Sequence, residues 1–199
     1  MDAVIICLMP HAGDALLVVD VQNDFLPGGS LGVPDGGRVL APINNAIAVF
    51  LSQGLPIFAS RDWHPVNHCS FREQGGPWPP HCMADTPGAA FSSALNLPAT
   101  ATLIYKATRE DEEAYSVFGG TGFEGMLRRA GVRRIFIGGL ATDYCVLATT
   151  RDACLLGFSV VVLTDAVCAV EVHPGDGERA LTEMRRLGAQ FVTCEDMSA

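Results

Sequence analysis

Residues 61–71 read RDWHPVNHCSF and residues 75–83 read GGPWPPHCM. Asp62, His64, His68 and His81 offer a carboxylate and three imidazoles, a donor set that suits zinc, manganese or iron(II). Asp62 and His64 stand two apart just after an apolar run, so a continuing strand turns both side chains the same way. His68 and His81 are candidates to join them across the loop. One carboxylate with imidazoles leaves coordination positions open for water or substrate. Two plainer readings stand beside this one. Cys69 and Cys82 could build a small structural zinc site, although the Cys-x2-Cys spacing of such sites is missing. Alternatively, the cluster makes hydrogen bonds only.

A second group is Asp20, Lys106 and Cys145. Asp20 ends ALLVVD, Lys106 ends TLIYK, and Cys145 follows IFIGGLATDY. Cys145 falls in the first turn of a predicted helix, where unpaired N–H groups and partial positive charge lower a thiol pKa and can hold an oxyanion. Asp20 is the base in the set, and an adjacent Lys106 ammonium favours charge on both partners. Together they are coherent for nucleophilic attack on a carbonyl. Each also has a plain role: Asp20 as a cap or turn residue, Lys106 as an exposed strand end, Cys145 as a buried small side chain. Convergence on one edge of the fold argues against all three.

That edge comes from the strands. ALLVVD, LPIFASRD, TLIYK, RRIFIGG, FSVVVLTD and AQFVTC are continuous apolar runs, as expected for strands buried on both faces of a parallel sheet. Helical patterns between them end at Gly54, Gly131, Gly157 and Gly188, fitting left-handed caps. This predicts a three-layer α/β/α fold with a six-stranded, mainly parallel sheet, for which we take the common order 3-2-1-4-5-6. Ligands bind outside the carboxyl ends of such strands, near the reversal of strand order, and Asp20 and Cys145 would flank it. Residues 61–100 are rich in Pro and Gly with little periodicity, which marks a functional loop. We read residues 1–199 as one domain, with residues 1–13 as a candidate irregular extension.

Composition narrows the partners. Lys plus Arg number 13 against 22 Asp plus Glu, a net charge of −9, which disfavours nucleic acid. No basic amphipathic stretch points to a membrane surface, and no apolar run spans a bilayer. VIICLMP is too short for a signal core and lacks a positive start, so a cytoplasmic location is expected. Seven cysteines in a chain of this size do not suggest disulfide staples. Cys7, Cys154, Cys168 and Cys194 read as small hydrophobic side chains, and His11 and His173 as surface residues.

VVDVQNDFLPGGSL, RDWHPVNHCSF, GGPWPPHCM, YKATREDEEAYSVF and GLATDYCV resemble, in order, the blocks of the nicotinamidase/pyrazinamidase branch of the isochorismatase-like cysteine hydrolases. The resemblance runs from about residue 15 to residue 194. It implies Asp20 and Lys106 as catalytic residues and Cys145 as nucleophile. It implies Asp62, His64 and His81 as metal ligands, with His68 where some members place a fourth. It implies a cis peptide before Ala141, whose N–H joins that of Cys145 at the oxyanion. Phe25, Trp78 and Tyr115 match residues lining the ring pocket. The implied cofactor is one divalent ion, zinc foremost, with iron and manganese open. Two departures stand out: Ala107 replaces a frequent Gly after the lysine, and YSVFGGTGFEGML is longer than the short family form.

The resemblance implies a metal-dependent amidase that hydrolyses nicotinamide to nicotinate and ammonia, and pyrazinamide likewise, through a Cys thioester, in NAD salvage. The partner is a small molecule, and a homo-oligomer is left open. One rival is a cysteine hydrolase of ureido or carbamoyl substrates, which needs no ring-binding metal. Another is a non-catalytic metal-binding protein on the same scaffold, which loss of Asp20, Lys106 or Cys145 would have favoured.

Overall fold

β1 (Asp14–Val19) is buried at every position, and its side chains divide between two cores. Leu16 and Val18 pack with Ile43, Ala46 and Phe50 of α1 (Leu40–Ser52) on one face. Leu17 and Val19 pack on the other with Leu127 of α2 (Phe123–Arg129), Ala153 of α3 (Leu147–Leu155) and Met184 of α4 (Asp176–Arg186). Covering both faces is why the strand reads as an unbroken apolar run. These are the three layers of a computed structural model that describes residues 9–197. Most of the expected extension at residues 1–13, and Cys7, lie outside the described residues.

The sheet continues with β2 (Ile57–Asp62), β3 (Thr102–Lys106), β4 (Arg134–Leu140), β5 (Ser159–Cys168) and β6 (Gln190–Val192). Its order is 3-2-1-4-5-6, as expected, and all five pairings are parallel. Gly54, Gly131, Gly157 and Gly188 all take positive φ after their helices. No helix among the described residues is long and apolar enough to cross a membrane.

Two elements depart from the sequence reading. β5 runs on to Cys168 rather than stopping near Asp165. The expected helix at DYCVLATT begins as a wide turn over Thr142–Val146, where the Val146 N–H donates to the Ala141 carbonyl five residues back at 3.1 Å. Such wide turns recur at functional sites. The residues after β2 have no helix beyond a short turn at Arg72–Gln74, yet three bridges pin them: Gln22 to Phe91, His64 to Met83 and Phe71 to Trp78.

β4 and β1 approach closely at their carboxyl ends. Gly139 has φ +133°, and a Cβ there would lie 2.0 Å from the Val19 carbonyl oxygen. Only a residue without a side chain lets the two strand ends meet, and this contact carries the turn at Cys145 toward Asp20. We predict that Gly139→Ala costs about 2–4 kcal/mol of stability. Gly157→Ala has a positive φ but nothing within 4 Å of the new Cβ, and should cost only about 1 kcal/mol. Urea unfolding of both variants checks this, and equal midpoints would refute the close approach.

Candidate active site

Lys106 ends β3 and pairs in register with Asp62 at the end of β2. Its ammonium is buried and lies 3.1 Å from Asp20 Oδ2, against Asp62 Oδ1, 3.1 Å from the Ala114 carbonyl and 3.5 Å from Cys145 Sγ. Asp20 follows β1 in a left-handed conformation, φ +50°, which aspartate tolerates better than most residues. Its amide donates to the Ser60 carbonyl at 3.1 Å, and Ser60 Oγ donates to Oδ1 at 2.7 Å. Cys145 stands in the wide turn after β4, and the Leu140–Ala141 peptide is cis. Three strand ends thus bring Asp20, Lys106 and Cys145 together.

Charge in this buried group is strongly biased. Burial raises the Asp20 carboxyl to about 6, against the pull of Lys106. Burial works to lower the Lys106 pKa, but Asp20 and Asp62 outweigh it and hold the ammonium well above its ordinary value. The Cys145 thiol departs from the sequence reading. Burial pushes it well above the ordinary thiol value, Lys106 pulls it down, and Asp20 and Asp62 push it further up. Desolvation and the two carboxylates outweigh the pull of Lys106, which favours the thiol over the thiolate.

Next to it, one ligand atom from each of Asp62, His64 and His81 lies within 4.8 Å of the others. The bridge from His64 to Met83 explains how distant segments meet: the His64 amide donates to the Cys82 carbonyl at 3.0 Å, and the Ala84 amide donates to His64 O at 2.8 Å. His64 Nδ1 lies 3.2 Å from the Ala107 carbonyl and His81 Nδ1 lies 2.8 Å from the Pro79 carbonyl. A carbonyl only accepts, so each Nδ1 carries the proton and each Nε2 keeps its lone pair. Burial also lowers both imidazoles, His64 to about 4, which keeps them neutral as ligation requires. The donor set therefore fits a divalent cation, and the carbonyls behind the two rings fix their tautomers.

His68 differs. Its ring stacks on His64 with centroids 4.1 Å apart. Nε2 lies 3.1 Å from the Glu112 carbonyl and so donates, while Nδ1 faces the Ser70 hydroxyl at 2.7 Å. Both nitrogens are engaged, and the group of close ligand atoms leaves His68 out. Neither Cys69 nor Cys82 belongs to that group among the described residues. Burial raises the Cys82 thiol, which argues further against a thiolate ligand. Of the cysteines read as hydrophobic, Cys168 and Cys194 are buried and Cys154 is half-buried. His11 and His173 are at the surface.

Asp62, His64, His81 and Cys145 line one narrow cleft of about 40 Å³. Phe25, Trp78 and Tyr115 line it, and Trp78 Nε1 donates to the Tyr115 hydroxyl at 3.0 Å. Sequence reasoning missed other walls: Tyr144, whose ring meets Trp78 edge-on at 5.2 Å, Val170 and Glu113. It also missed Asp143, which accepts the Val170 amide at 2.9 Å and the Glu171 amide at 3.0 Å. Asp143 and Tyr144 directly precede Cys145 in ATDYC, and that adjacency was the available signal. Nothing local marks Val170, because the end of β5 reads shorter than it is.

The site and fold define a cysteine-containing α/β protein with a candidate metal centre at the strand ends. The Isochorismatase domain matches residues 14–196, and the chain belongs to this family. The nicotinamidase of Escherichia coli (strain K12) is 36% identical over 203 residues, covering 92% of this chain and 95% of that protein. The crystal structure of the pyrazinamidase of Pyrococcus horikoshii in complex with zinc is similar with TM-score 0.87 and 51% identity, covering 91% of this chain and 99% of that one. PnC1 from L. infantum in complex with nicotinate is similar with TM-score 0.88 and 36% identity, covering 96% and 98%.

The geometry ranks the candidate ligands. We predict that His64→Ala and His81→Ala each lose most bound metal, measured by elemental analysis of the purified variants. His68→Ala should lose less, because its lone pair already faces Ser70. Equal loss in all three would mean that the His68 ring turns onto the ion.

Proposed function

We propose that this chain hydrolyses nicotinamide to nicotinate and ammonia, and accepts pyrazinamide in the same way. The observation that carries the reading is the Lys106 ammonium joining Asp20, Asp62 and Cys145, with Asp62 and Cys145 reaching the wall of an aromatic cleft. Phe25, Trp78 and Tyr115 offer faces and edges to a flat heteroaromatic ring. Asp62, His64 and His81 would hold a divalent ion, zinc foremost. When bound there, it supplies a Lewis-acid contact for a ring nitrogen.

The chain's own residues carry the covalent steps. Because the resting thiol is protonated, attack needs a base. Asp20 lies within 4.8 Å of Cys145, and among the described residues its Oδ2 has no partner besides the Lys106 ammonium. Asp20 takes the thiol proton as Sγ attacks the carboxamide carbon. The N–H groups of Ala141 and Cys145 hold the oxyanion. Collapse breaks the C–N bond, and the proton on Asp20 goes to the departing ammonia. Water then attacks the thioester, Asp20 accepts its proton, and nicotinate leaves as Cys145 regains the proton. Lys106 stays charged throughout and offsets the negative charge that moves between Asp20 and sulfur.

A ureido or carbamoyl substrate is the competing reading. It makes no use of a ring-sized aromatic cleft or of a donor set at its side, and the three groups needed for turnover argue against a purely binding role.

Ammonia release from nicotinamide tests the proposal. Cys145→Ala should fold and show background turnover, whereas Cys69→Ala and Cys82→Ala keep much of the activity. Substantial turnover by Cys145→Ala would sink the mechanism.

Asp20→Asn should lose about 10²–10⁴-fold in rate, because the base is removed from both half-reactions. The base acts when ionised, and burial raises its pKa to about 6. The wild-type kcat/KM should therefore hold above that pH and fall as pH drops through it. A flat profile from pH 5 to 7 would show that another group takes the proton.

A further inference from the structure

VVDVQNDF places Gln22 and Asp24 just beyond Asp20, and neither enters the chemistry above. Gln22 is fully buried. Its Nε2 donates to the Asp62 carbonyl at 2.8 Å and to the Ala89 carbonyl at 3.0 Å. Its Oε1 accepts the Asp62 amide at 2.8 Å. The side-chain amide therefore grips both backbone polar groups of Asp62, as a neighbouring strand would. Asp24 does the same for the other half of the donor set. Its Oδ2 accepts the Cys82 amide at 2.8 Å, next in chain to His81. The Cys82 carbonyl in turn accepts the His64 amide at 3.0 Å. Asp24 Oδ1 is itself held by the Ser30 amide at 3.2 Å and hydroxyl at 3.0 Å. The fit around Asp24 is tight: a Cβ on Gly88 would lie 2.1 Å from Oδ2.

We propose that Gln22 and Asp24 are positioning residues that set the metal affinity of Asp62, His64 and His81, an inference that rests on the metal reading above. The physical reason lies in the loop. His64 and His81 sit outside the regular strands, on a long irregular segment, and an ion is bound tightly only where its ligands are already in place. Gln22 fixes the end of β2, and Asp24 fixes the Cys82 peptide between the two imidazoles. Both sit on the segment that follows Asp20, so one stretch of chain sets the base and the metal ligands in a common frame. Asn23 gives an internal comparison. Its Nδ2 donates to the Pro87 carbonyl at 2.8 Å, which ties the same loop but grips no ligand segment.

The test uses the full chain, stripped of metal and titrated with zinc against a chromophoric chelator. Gln22→Met keeps the shape and removes all three hydrogen bonds, and Asp24→Ala frees the Cys82 amide. Each should weaken zinc binding by about 10–100-fold, the usual effect of losing a group that holds a ligand in place. Each should also alter the visible absorption of the cobalt-loaded protein, since the ligand geometry relaxes. Asn23→Ala should bind zinc within a few-fold of wild type. Should Gln22→Met fail to fold, Gln22→Glu keeps the acceptor for the Asp62 amide, loses both donors, and should show the same weakening. The inference is overturned if Gln22 and Asp24 variants bind zinc as wild type does. It is equally overturned if Asn23→Ala weakens zinc as much and all three metal-free proteins lose thermal stability in parallel, which is general loosening. A wild-type chain that takes up no zinc or cobalt instead brings down the metal reading itself.

Discussion

Taking a lysine ammonium out of water costs several kcal/mol unless charge and hydrogen bonds replace the solvent, roughly the penalty for any buried ion. Lys106 is 1% exposed, and the surrounding fold supplies what it loses. Asp20 from the end of β1 and Asp62 from the end of β2 provide charge, and the Ala114 carbonyl provides a third acceptor. These groups come from separate strands and a loop, so the ammonium is satisfied only when the sheet has its native order. The same requirement puts Cys145 at the centre. Gly139 lets β4 press against β1, and the turn beyond it delivers the sulfur to 3.5 Å from Nζ.

The order of the sheet was legible because two cores cover both faces of every central strand, which leaves unbroken apolar runs in the sequence. The candidate site residues were legible because each stands where such a run stops. Segments beyond the strand ends were harder to read. His64 and His81 meet through a bridge between two loop segments, and no periodicity announces a bridge of that kind. Tyr144 and Val170 reach the cleft through the wide turn and the segment just past β5, where Asp143 holds the Val170 amide, and both depend on tertiary packing. Ala107 shows the reverse: its φ of +51° explains why glycine is frequent at that position in the family it resembles.

The thiol is the instructive error. A helix start beside a lysine favours a thiolate where the site is open to water. Here Cys145 is 5% exposed and faces two carboxylates as well as one ammonium. Desolvation and the nearby negative charge prevail. The consequence reaches the proposed chemistry, because a protonated thiol needs the base that we propose Asp20 to be. The burial that raises the thiol also raises Asp20, so the two groups compete for one proton over a short path.

Asp62 ties the two halves of the cleft together. Its Oδ1 faces the Lys106 ammonium, while its Oδ2 lies 3.8 Å from His64 Nε2. Lys106 pulls the Asp62 pKa down against burial, so the carboxylate is kept charged for its second task. One oxygen thus serves the buried cation and the other is left for the donor set. A carboxamide in its place would keep the shape but surrender charge on both sides. Lys106 would then lean on Asp20 alone, and a carboxylate drawn fully into an ion pair is a poorer base. The charge on Asp62 therefore shares the Lys106 cation with Asp20, which the proposed role of Asp20 as base requires.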